Sequence, residues 1–184
     1  MQLKMHVDAK RVLADSIIDL AKKRSLDKIT IQSIVDNCQA VRRTFYNHFT
    51  DKYDLINWIF KTSFNDIVEQ YADIEPVDKV IGRILSFMKD NEVFYSNALC
   101  IEGQNCFLDF FSECAYNFYA GLIERRFGKD ALSNDVVFII KYNCYGQVNI
   151  AWEWLSKKMV DSPESIAQKM VSNMSQDLKK LLNV

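Results

Sequence analysis

Apolar residues recur at intervals of three and four along most of this chain, and that spacing limits its fold more than any other feature. One run illustrates the pattern, because Phe107, Phe111, Cys114, Phe118 and Leu122 fall on the same side of a helix. Turn formers are scarce, with 5 Gly and 2 Pro among 184 residues. The sequence therefore predicts an all-α protein without strands.

The spacing predicts about nine helices, of which the second and third are short and closely connected. The first helix covers residues 8–24 and the second is capped by Thr30. A third helix of about two turns lies within residues 41–48 and must pack on the other two, because it is too short to persist alone. The fourth helix starts at Thr50 or Asp51 and links this group to the rest of the chain.

We expect two domains: a three-helix helix-turn-helix domain over residues 1–52, called the N-terminal unit, and a helical bundle over residues 53–184, called the body. Some segments of the body are apolar on nearly every face, which indicates burial on several sides. Gly128 is expected to end one of its long helices. The predicted limits of the later helices are Pro76–Met88, Val93–Leu99, Gln104–Phe127, Ser133–Met159 and a last helix from Pro163.

Positive charge is concentrated towards the N-terminal end. Residues 1–62 hold 11 Lys and Arg against 7 Asp and Glu, whereas the remainder holds 12 against 17, so the overall charge of −1 hides an asymmetry. A basic unit joined to an acidic body suits an anionic partner for the basic unit. A basic face that only meets solvent is nearly as common, so charge alone leaves both alternatives open.

The sequence offers no visible apparatus for catalysis. Its five cysteines lie in apolar helical stretches without CxxC spacing, which is typical of reduced core thiols, and its two histidines complete no set of metal ligands. It also lacks a Gly-rich phosphate loop and a GxSxG motif. We therefore expect no enzyme activity, no metal and no cofactor. Without a leader or an uncharged run of about 20 residues, we also expect no membrane contact and a cytoplasmic location.

The stretch from Thr30 to Phe60, TIQSIVDNCQAVRRTFYNHFTDKYDLINWIF, is the most informative about function. Phe45 and Phe49 give its short third helix an apolar side, and polar side chains occupy the other side. Arg and Asn are well suited to guanine and adenine edges in the major groove of DNA, although two arginines at a helix start are also common in solvent. The candidate base-contacting residues are Arg42, Arg43, Thr44, Asn47 and His48.

This stretch resembles the TetR family of bacterial regulators. That family has a Thr that caps the second helix, a recognition helix ending in Phe-Tyr-x-His/Tyr-Phe, and a Lys near the start of the fourth helix. The matching residues are Thr30, Phe45, Tyr46, His48, Phe49 and Lys52. A narrower resemblance, carried by RRTFYNHFTDKYDLINWIF, is to the branch that includes activators of dihydroxyacetone kinase operons.

Three residues are expected to contact the phosphates of double-stranded DNA. Thr30 and Lys52 lie at helix N-termini, where free N–H groups and the helix dipole favour an anion. Tyr46 can offer its hydroxyl to the phosphate backbone, although a tyrosine with a buried ring and a wet hydroxyl is also a common structural feature. Such contacts position the protein without reading sequence. Thr30 is equally well explained as a cap alone.

The turn between the second and third helices departs from the family pattern. Where the family has Ala-Gly-Val-Ser, this chain has Cys38, Gln39, Ala40 and Val41. A missing N-cap destabilises a helix by roughly 0.5 to 2 kcal/mol, and a residue other than glycine is strained in a left-handed backbone conformation. We therefore expect the geometry of this turn to differ locally.

The aromatic residues of the body have two explanations. Aromatic residues at helical spacing usually form a core, whereas the family resemblance implies an effector cavity between the fourth and eighth helices. Such a cavity would be apolar and would suit a hydrophobic small molecule. Some relatives respond to proteins instead, so control by a partner protein without a ligand pocket is the alternative. The candidate pocket residues are Tyr95, Phe107, Phe111 and Tyr142.

The family resemblance also implies a homodimer formed through the eighth and ninth helices. Gly146 would let two backbones approach closely there, or it could relieve crowding within one subunit. Two recognition helices related by a two-fold axis would read a pseudo-palindromic operator. The candidate interface residues are Gly146, Trp152, Met170 and Met174.

Overall fold

The computed structural model describes residues 8–101, 106–157 and 160–184. These ranges contain helices and 3₁₀ turns but no strand, which confirms the predicted all-α class. Gln104 and Met159, the predicted ends of two helices, lie outside the described residues. The helices are α1 (Ala9–Ala21), α2 (Ile31–Asn37), α3 (Arg42–Tyr46), α4 (Lys52–Tyr71), α5 (Val77–Asp90), α6 (Glu92–Leu99), α7 (Phe107–Phe127), α8 (Asn134–Ser156), α9 (Pro163–Ser172) and α10 (Gln176–Leu182).

Side-chain caps set the starts of the first helices, as the sequence predicted for two of them. The Thr30 hydroxyl accepts a hydrogen bond from the Ser33 amide in a reciprocal capping box. Asp51 accepts from the amides of Tyr53 and Asp54 at the start of α4. Each cap satisfies amides that have no partner within the helix, and so fixes where the chain turns.

A short 3₁₀ turn, Leu26–Lys28, joins α1 to α2 and is called the linker turn. Helices α1 and α2 are also tied together by Ser16, a buried residue whose hydroxyl donates to the Ile34 carbonyl at 2.7 Å. The side-chain amide of Asn37 donates to the same hydroxyl at 3.2 Å. This small polar network fixes α2, and therefore the start of the turn that leads to α3.

Helix α4 runs from the N-terminal unit into the body. Leu55 and Ile56 are buried near its start, where α4 contacts α1, whereas Phe60 and Phe64 are buried among the aromatic residues of the body. The buried side chains of both units form one continuous cluster. In the body, α5 packs closely against α9 and α7 packs against α8.

The last predicted helix is in fact two helices, so the described residues contain ten α-helices where the spacing predicted about nine. Helix α9 ends at Ser172, and the Ser175 hydroxyl caps α10 by accepting from the Leu178 amide. Met174, within the break, and Leu178, after it, are both buried. The apolar spacing continues across the break, so the sequence pattern did not indicate the cap at Ser175. In the ranges described, no helix is both long enough and apolar enough to span a membrane.

Candidate nucleic-acid interface

Helix α3 has one buried side, formed by the two predicted phenylalanines. Phe45 is completely buried, and Phe49 is 3% exposed just beyond the helix. The Phe49 ring lies edge-on to Trp58 of α4, with 5.7 Å between ring centres. A helix of five residues has little stability of its own. Its orientation is therefore set by the burial of Phe45 and by the contact of Phe49 with Trp58 of α4.

The opposite side of α3 presents polar side chains to solvent. Arg42, Arg43, Tyr46, Asn47 and His48 are all exposed. Within the described part of the chain, the side chains of Arg43 and Asn47 have no hydrogen-bond partner, so their donors and acceptors are available to a ligand. This surface, called the α3 face, gathers five of the predicted DNA-contacting residues. Thr44, the sixth from this stretch, is half-buried at its edge.

Arg42 and Tyr46 form a pair that the sequence did not predict. The guanidinium of Arg42 donates to the Tyr46 hydroxyl at 3.2 Å, and its central carbon lies 5.8 Å from the centre of the Tyr46 ring. A spacing of four residues places both side chains on the same side of α3. The pair orients a cationic side chain that would otherwise sample many rotamers.

Thr30 combines its cap with an exposed position. Its Oγ1 atom accepts from the Ser33 amide at 3.1 Å, and the Ser33 hydroxyl accepts from the Thr30 amide at 3.1 Å. A hydroxyl that accepts one hydrogen bond keeps its own proton for another acceptor. The predicted cap is therefore confirmed, and its geometry leaves the Thr30 hydroxyl able to donate to a phosphate.

Lys52 lies at the start of α4, as predicted, and makes contacts that the sequence did not predict. Its Nζ atom donates to the carbonyls of Leu26, Asp27 and Ile29 at 2.9, 2.9 and 3.0 Å. An ammonium group has three N–H donors, and all three are used in these contacts. Burial lowers the pKa of Lys52, against the smaller opposite effect of Asp27. A phosphate contact would require Nζ to exchange at least one of these carbonyls for a phosphate oxygen, and it stays a prediction.

The turn before α3 keeps a left-handed residue despite its lack of glycine. Gln39, at the position where the family has glycine, has a φ of 55°. The Ala40 amide donates back to the Val35 carbonyl at 2.9 Å, in the pattern of a helix that ends with a left-handed residue. Val41 stands at the N-cap of α3 and makes no side-chain cap. The two unfavourable residues are therefore accommodated within an ordinary turn.

Lys10 is a cation beside Phe49 and Trp58 that the sequence analysis did not single out. Its Nζ atom lies 5.8 Å from the centre of the Phe49 ring and 5.6 Å from that of Trp58. Cations are attracted to the faces of aromatic rings. This contact joins the start of α1 to the end of α3, across 39 residues of sequence, and no local motif could have predicted it.

Three of the four predicted pocket residues lie together in a packed aromatic cluster, and Tyr95 also borders an open depression of about 270 Å³. The rings of Tyr95, Phe107 and Phe111 surround Phe60 with centre-to-centre distances of 5.9, 5.2 and 5.0 Å. Tyr142 was assigned to the wrong side of α8, since it is 75% exposed on the outer surface. Helical spacing alone does not tell which side of a long apolar helix faces inward.

The body does contain a small apolar cavity of about 40 Å³, lined in part by Phe111, Gln147 and Met170. The Tyr119 hydroxyl donates to Oε1 of Gln147 at 2.7 Å, and burial raises the pKa of Tyr119 far above its ordinary value. Nε2 of Gln147 is buried without a partner in the described part of the chain. Pockets for drug-sized ligands enclose roughly 300 to 1,000 Å³. The cavity is therefore far too small for such a ligand in this conformation.

Helix α8 exposes a row of large aromatic residues, called the α8 stripe: Phe138, Tyr142, Tyr145 and Trp152. Their spacing of four, three and seven residues follows the seven-residue repeat by which helices pair. The rings of Phe138 and Tyr142 stack with 6.3 Å between centres. The stripe is an apolar surface of the kind that marks an interaction site.

The predicted dimer residues are divided between the surface and the core. Gly146 and Trp152 are exposed on α8, and no atom lies within 4 Å of a Cβ added to Gly146. Met170 and Met174 are 8% and 4% exposed, so their assignment to an interface is corrected: they are buried within the subunit. The apolar side of α9 packs on α5 instead.

The cysteines are all free thiols, and two of them are well buried. Burial raises the pKa values of Cys114 and Cys144 to about 12, so these thiols stay protonated at neutral pH. Cys100, which was expected in the core, is exposed. Across the ranges described, no group of three or more His, Cys, Asp or Glu side chains is arranged to hold a metal ion.

Comparison with known sequences identifies the body. Residues 75–176 match the family of TetR-type regulators described as "Transcriptional regulator C-terminal region". The HTH-type dhaKLM operon transcriptional activator DhaS of Lactococcus lactis subsp. lactis is 22% identical over 102 residues, or 55% of this chain and 54% of that protein. The match thus spans about half the length of this curated relative.

Comparison with solved structures extends the likeness to nearly the whole chain. The dihydroxyacetone kinase operon activator DhaS aligns over 94% of this chain and 97% of its own, with a TM-score of 0.67 and 22% identity. A TetR transcriptional regulator from Streptococcus agalactiae aligns over 91% and 94%, with a TM-score of 0.66 and 18% identity. At these identities the likeness concerns the fold. The resemblance predicted from the sequence, including the narrower one, is confirmed.

Proposed function

We propose that this chain, which belongs to the TetR family of transcriptional regulators, binds specific sequences of double-stranded DNA as a homodimer. Through this binding it controls transcription. The observation that supports this most is the α3 face. Exposed Arg43 and Asn47 side chains, free of partners in the described ranges, lie opposite the buried Phe45 anchor. Arg and Asn form paired hydrogen bonds with guanine and adenine edges. A cytoplasmic location follows from the DNA partner.

The α8 stripe supports the homodimer. A two-fold axis brings the same surface of both subunits together, so an apolar row near the axis is buried against its own copy. Phe138 and Tyr142 are 68% and 75% exposed in the single chain, and burying them would remove a large apolar area from water. A dimer also places two α3 faces on one DNA site, which suits a pseudo-palindrome.

The small volume of this apolar cavity favours control by a partner protein, while a more open depression of about 270 Å³, bordered by Trp58, Phe94 and Tyr95, lies elsewhere on the chain. A cavity of about 40 Å³ among the body helices is well below the volume of an ordinary ligand pocket. A hydrophobic effector would therefore need the body to open first. Control by a partner protein needs only an exposed surface on the body. This second candidate function is supported by the close packing of Phe60, Tyr95, Phe107 and Phe111.

Selection of DNA from a random pool with the purified protein tests the proposal. We expect enrichment of a pseudo-palindrome, with affinity that falls steeply as salt concentration rises. Arg43→Ala is expected to weaken operator binding by about 1 to 3 kcal/mol and to relax the preference at one base position. Lys89→Ala removes an exposed cation from α5 and serves as the matched control. Failure to enrich any sequence, or equal effects of both variants, would contradict the proposal.

A further inference from the structure

The open depression of about 270 Å³ lies where the N-terminal unit meets the body, and we call it the junction depression. It is bordered by Asp15 and Ile18 of α1, by Trp58 and Asp66 of α4, and by residues of the corner between α5 and α6. It shares no residue with the small apolar cavity. Because it is open to solvent, a ligand smaller than an ordinary drug can enter it while the body stays closed.

Aromatic side chains form the buried side of the junction depression. Phe94 and Tyr95 are 3% and 1% exposed, and the rings of Trp58 and Phe87 are half-buried beside them. The faces of aromatic rings attract apolar groups and cations alike. Trp58 already contacts one ammonium group, that of Lys10 at 5.6 Å, although Lys10 does not border the depression.

The hydroxyl of Tyr95 is buried and has no hydrogen-bond partner in the described part of the chain. A buried hydroxyl without a partner is unfavourable, and a phenylalanine would fill nearly the same space without that cost. Burial also raises the pKa of Tyr95 far above its ordinary value, so the hydroxyl stays neutral at physiological pH. Its oxygen can accept a hydrogen bond from a donor that enters the depression.

The rim of the junction depression carries more negative than positive charge. Asp15 and Asp66 are exposed, and neither forms an ion pair within the described ranges. Two further exposed carboxylates, Asp90 and Glu92, lie at the α5–α6 corner. Arg11 is the one cation among the described residues that borders the depression. The local charge therefore favours a cationic ligand over an anionic one.

We propose that the junction depression binds a small organic cation in which an ammonium group is joined to an aromatic ring, and that this ligand couples α1 to the body. The ring packs against Trp58 and Phe87, and the carboxylates of Asp15 and Asp66 attract the ammonium group. The effect of the ligand on DNA rests on the proposed DNA-binding function, whereas the site itself does not.

The position of the junction depression links a bound ligand to the α3 face. Helix α1 contacts α4 and α6, and the Ser16 hydroxyl ties α1 to α2. Helix α2 in turn leads to α3 through the Gln39 turn. A ligand held by α1 and α4 together favours one arrangement of the two units. The ligand and DNA then change each other's affinity by the same factor.

The binding test uses the full-length protein and two probes of opposite charge, phenethylammonium and phenylacetate, which share a phenyl ring. Calorimetry measures their binding to the unmodified chain and to three variants at exposed positions. Asp66→Asn removes a bordering carboxylate, and Arg11→Gln removes the bordering cation. Glu69→Gln is the matched control, because it removes an exposed carboxylate of the same helix that does not border the depression.

We expect phenethylammonium to bind with a dissociation constant of about 0.1 to 1 mM, as suits about nine non-hydrogen atoms, and phenylacetate to bind about tenfold more weakly. Asp66→Asn should weaken phenethylammonium binding about two- to fivefold, and Arg11→Gln should strengthen it by a similar factor. Glu69→Gln should leave it unchanged. The site would be overturned by phenylacetate that binds equally well, by phenethylammonium that fails to bind at about 10 mM, or by equal effects of Asp66→Asn and Glu69→Gln.

Tryptophan fluorescence locates the bound probe. Trp58 borders the junction depression, whereas Trp152 and Trp154 lie on α8. Phenethylammonium should change the emission of the unmodified chain and of Trp152→Phe, and it should leave that of Trp58→Phe unchanged. A response that persists in Trp58→Phe would place the probe elsewhere and would overturn the site.

The coupling is measured on the selected operator with saturating phenethylammonium, against sodium chloride at the same ionic strength. We expect operator affinity to change about fivefold or more, and the operator to change probe affinity by the same factor. Equal operator affinity in both solutions would overturn the coupling. If the protein binds no selected duplex, the DNA-binding proposal fails, while calorimetry and fluorescence still decide whether the site exists.

Discussion

The N-terminal unit and the body differ in how directly their sequences reveal their surfaces. In the N-terminal unit, caps and a short turn fix α2 and α3, and the residues between Phe45 and Phe49 necessarily point away from the core. In the body, long helices such as α8 carry apolar residues on several sides, and Tyr142 turns outward although Ile140 and Cys144 are buried. Local hydrogen bonding places α2 and the turn before α3 in the first region, where the buried Phe45 then orients α3, whereas in the second region tertiary packing alone determines orientation.

The largest effect is expected from the aromatic anchor of α3. Phe45→Ala removes a completely buried ring and should lower the free energy of unfolding by about 3 to 5 kcal/mol. Asn47→Ala, two residues away on the α3 face, should change it by less than about 0.5 kcal/mol. Denaturant unfolding measures both. If Phe45→Ala lowers the free energy of unfolding by less than about 1 kcal/mol, the buried and exposed sides of α3 do not differ in their contribution to stability.

The α8 stripe should respond to charge as an interface rather than as a free surface. Tyr142→Glu places two carboxylates near each other across a two-fold axis, which is expected to weaken dimerisation by about 3 kcal/mol, or more than 100-fold. Light scattering should then report a mass near 21.4 kDa, where the unmodified chain gives about twice that value. Glu153→Gln, beside the stripe, is the control. If the unmodified chain is monomeric at micromolar concentration, the α8 stripe is not a dimer interface.

The same distinction explains which features the sequence could predict. The Thr30 cap, the burial of Phe45 and Phe49 and the exposure of Arg43 follow from local spacing and were predicted, and the cap of α4 is Asp51, one of the two residues expected to start that helix. The Lys52 contacts were not, because the carbonyls that it meets lie more than 20 residues earlier. Met170 and Met174 were misplaced for a related reason, since only the partner helix α5 shows which side of α9 is inside.

The turn before α3 tests whether local rules also set stability in the N-terminal unit. Gln39→Gly should raise the free energy of unfolding by roughly 1 kcal/mol, because glycine adopts a φ of 55° without a Cβ clash. Val41→Ser should add roughly 0.5 to 2 kcal/mol by supplying the missing cap. Thermal unfolding of the single and double variants measures both. Destabilisation by Gln39→Gly would show that the Gln39 side chain makes a contact that outweighs the backbone strain.

The smallest effect is expected at the Arg42–Tyr46 pair, and it concerns DNA binding rather than stability. Tyr46→Phe keeps the ring beneath the guanidinium but removes the hydroxyl that accepts from Arg42 at 3.2 Å. Both side chains are exposed, so the unfolding free energy should change by less than about 0.5 kcal/mol. If the hydroxyl orients Arg42, Tyr46→Phe should weaken operator binding by about 0.5 to 1.5 kcal/mol. In an Arg42→Ala background the same change should then have little further effect, since the two residues act together. Additive losses in the double variant would instead mean that Tyr46 contacts DNA on its own, as the sequence predicted for its hydroxyl.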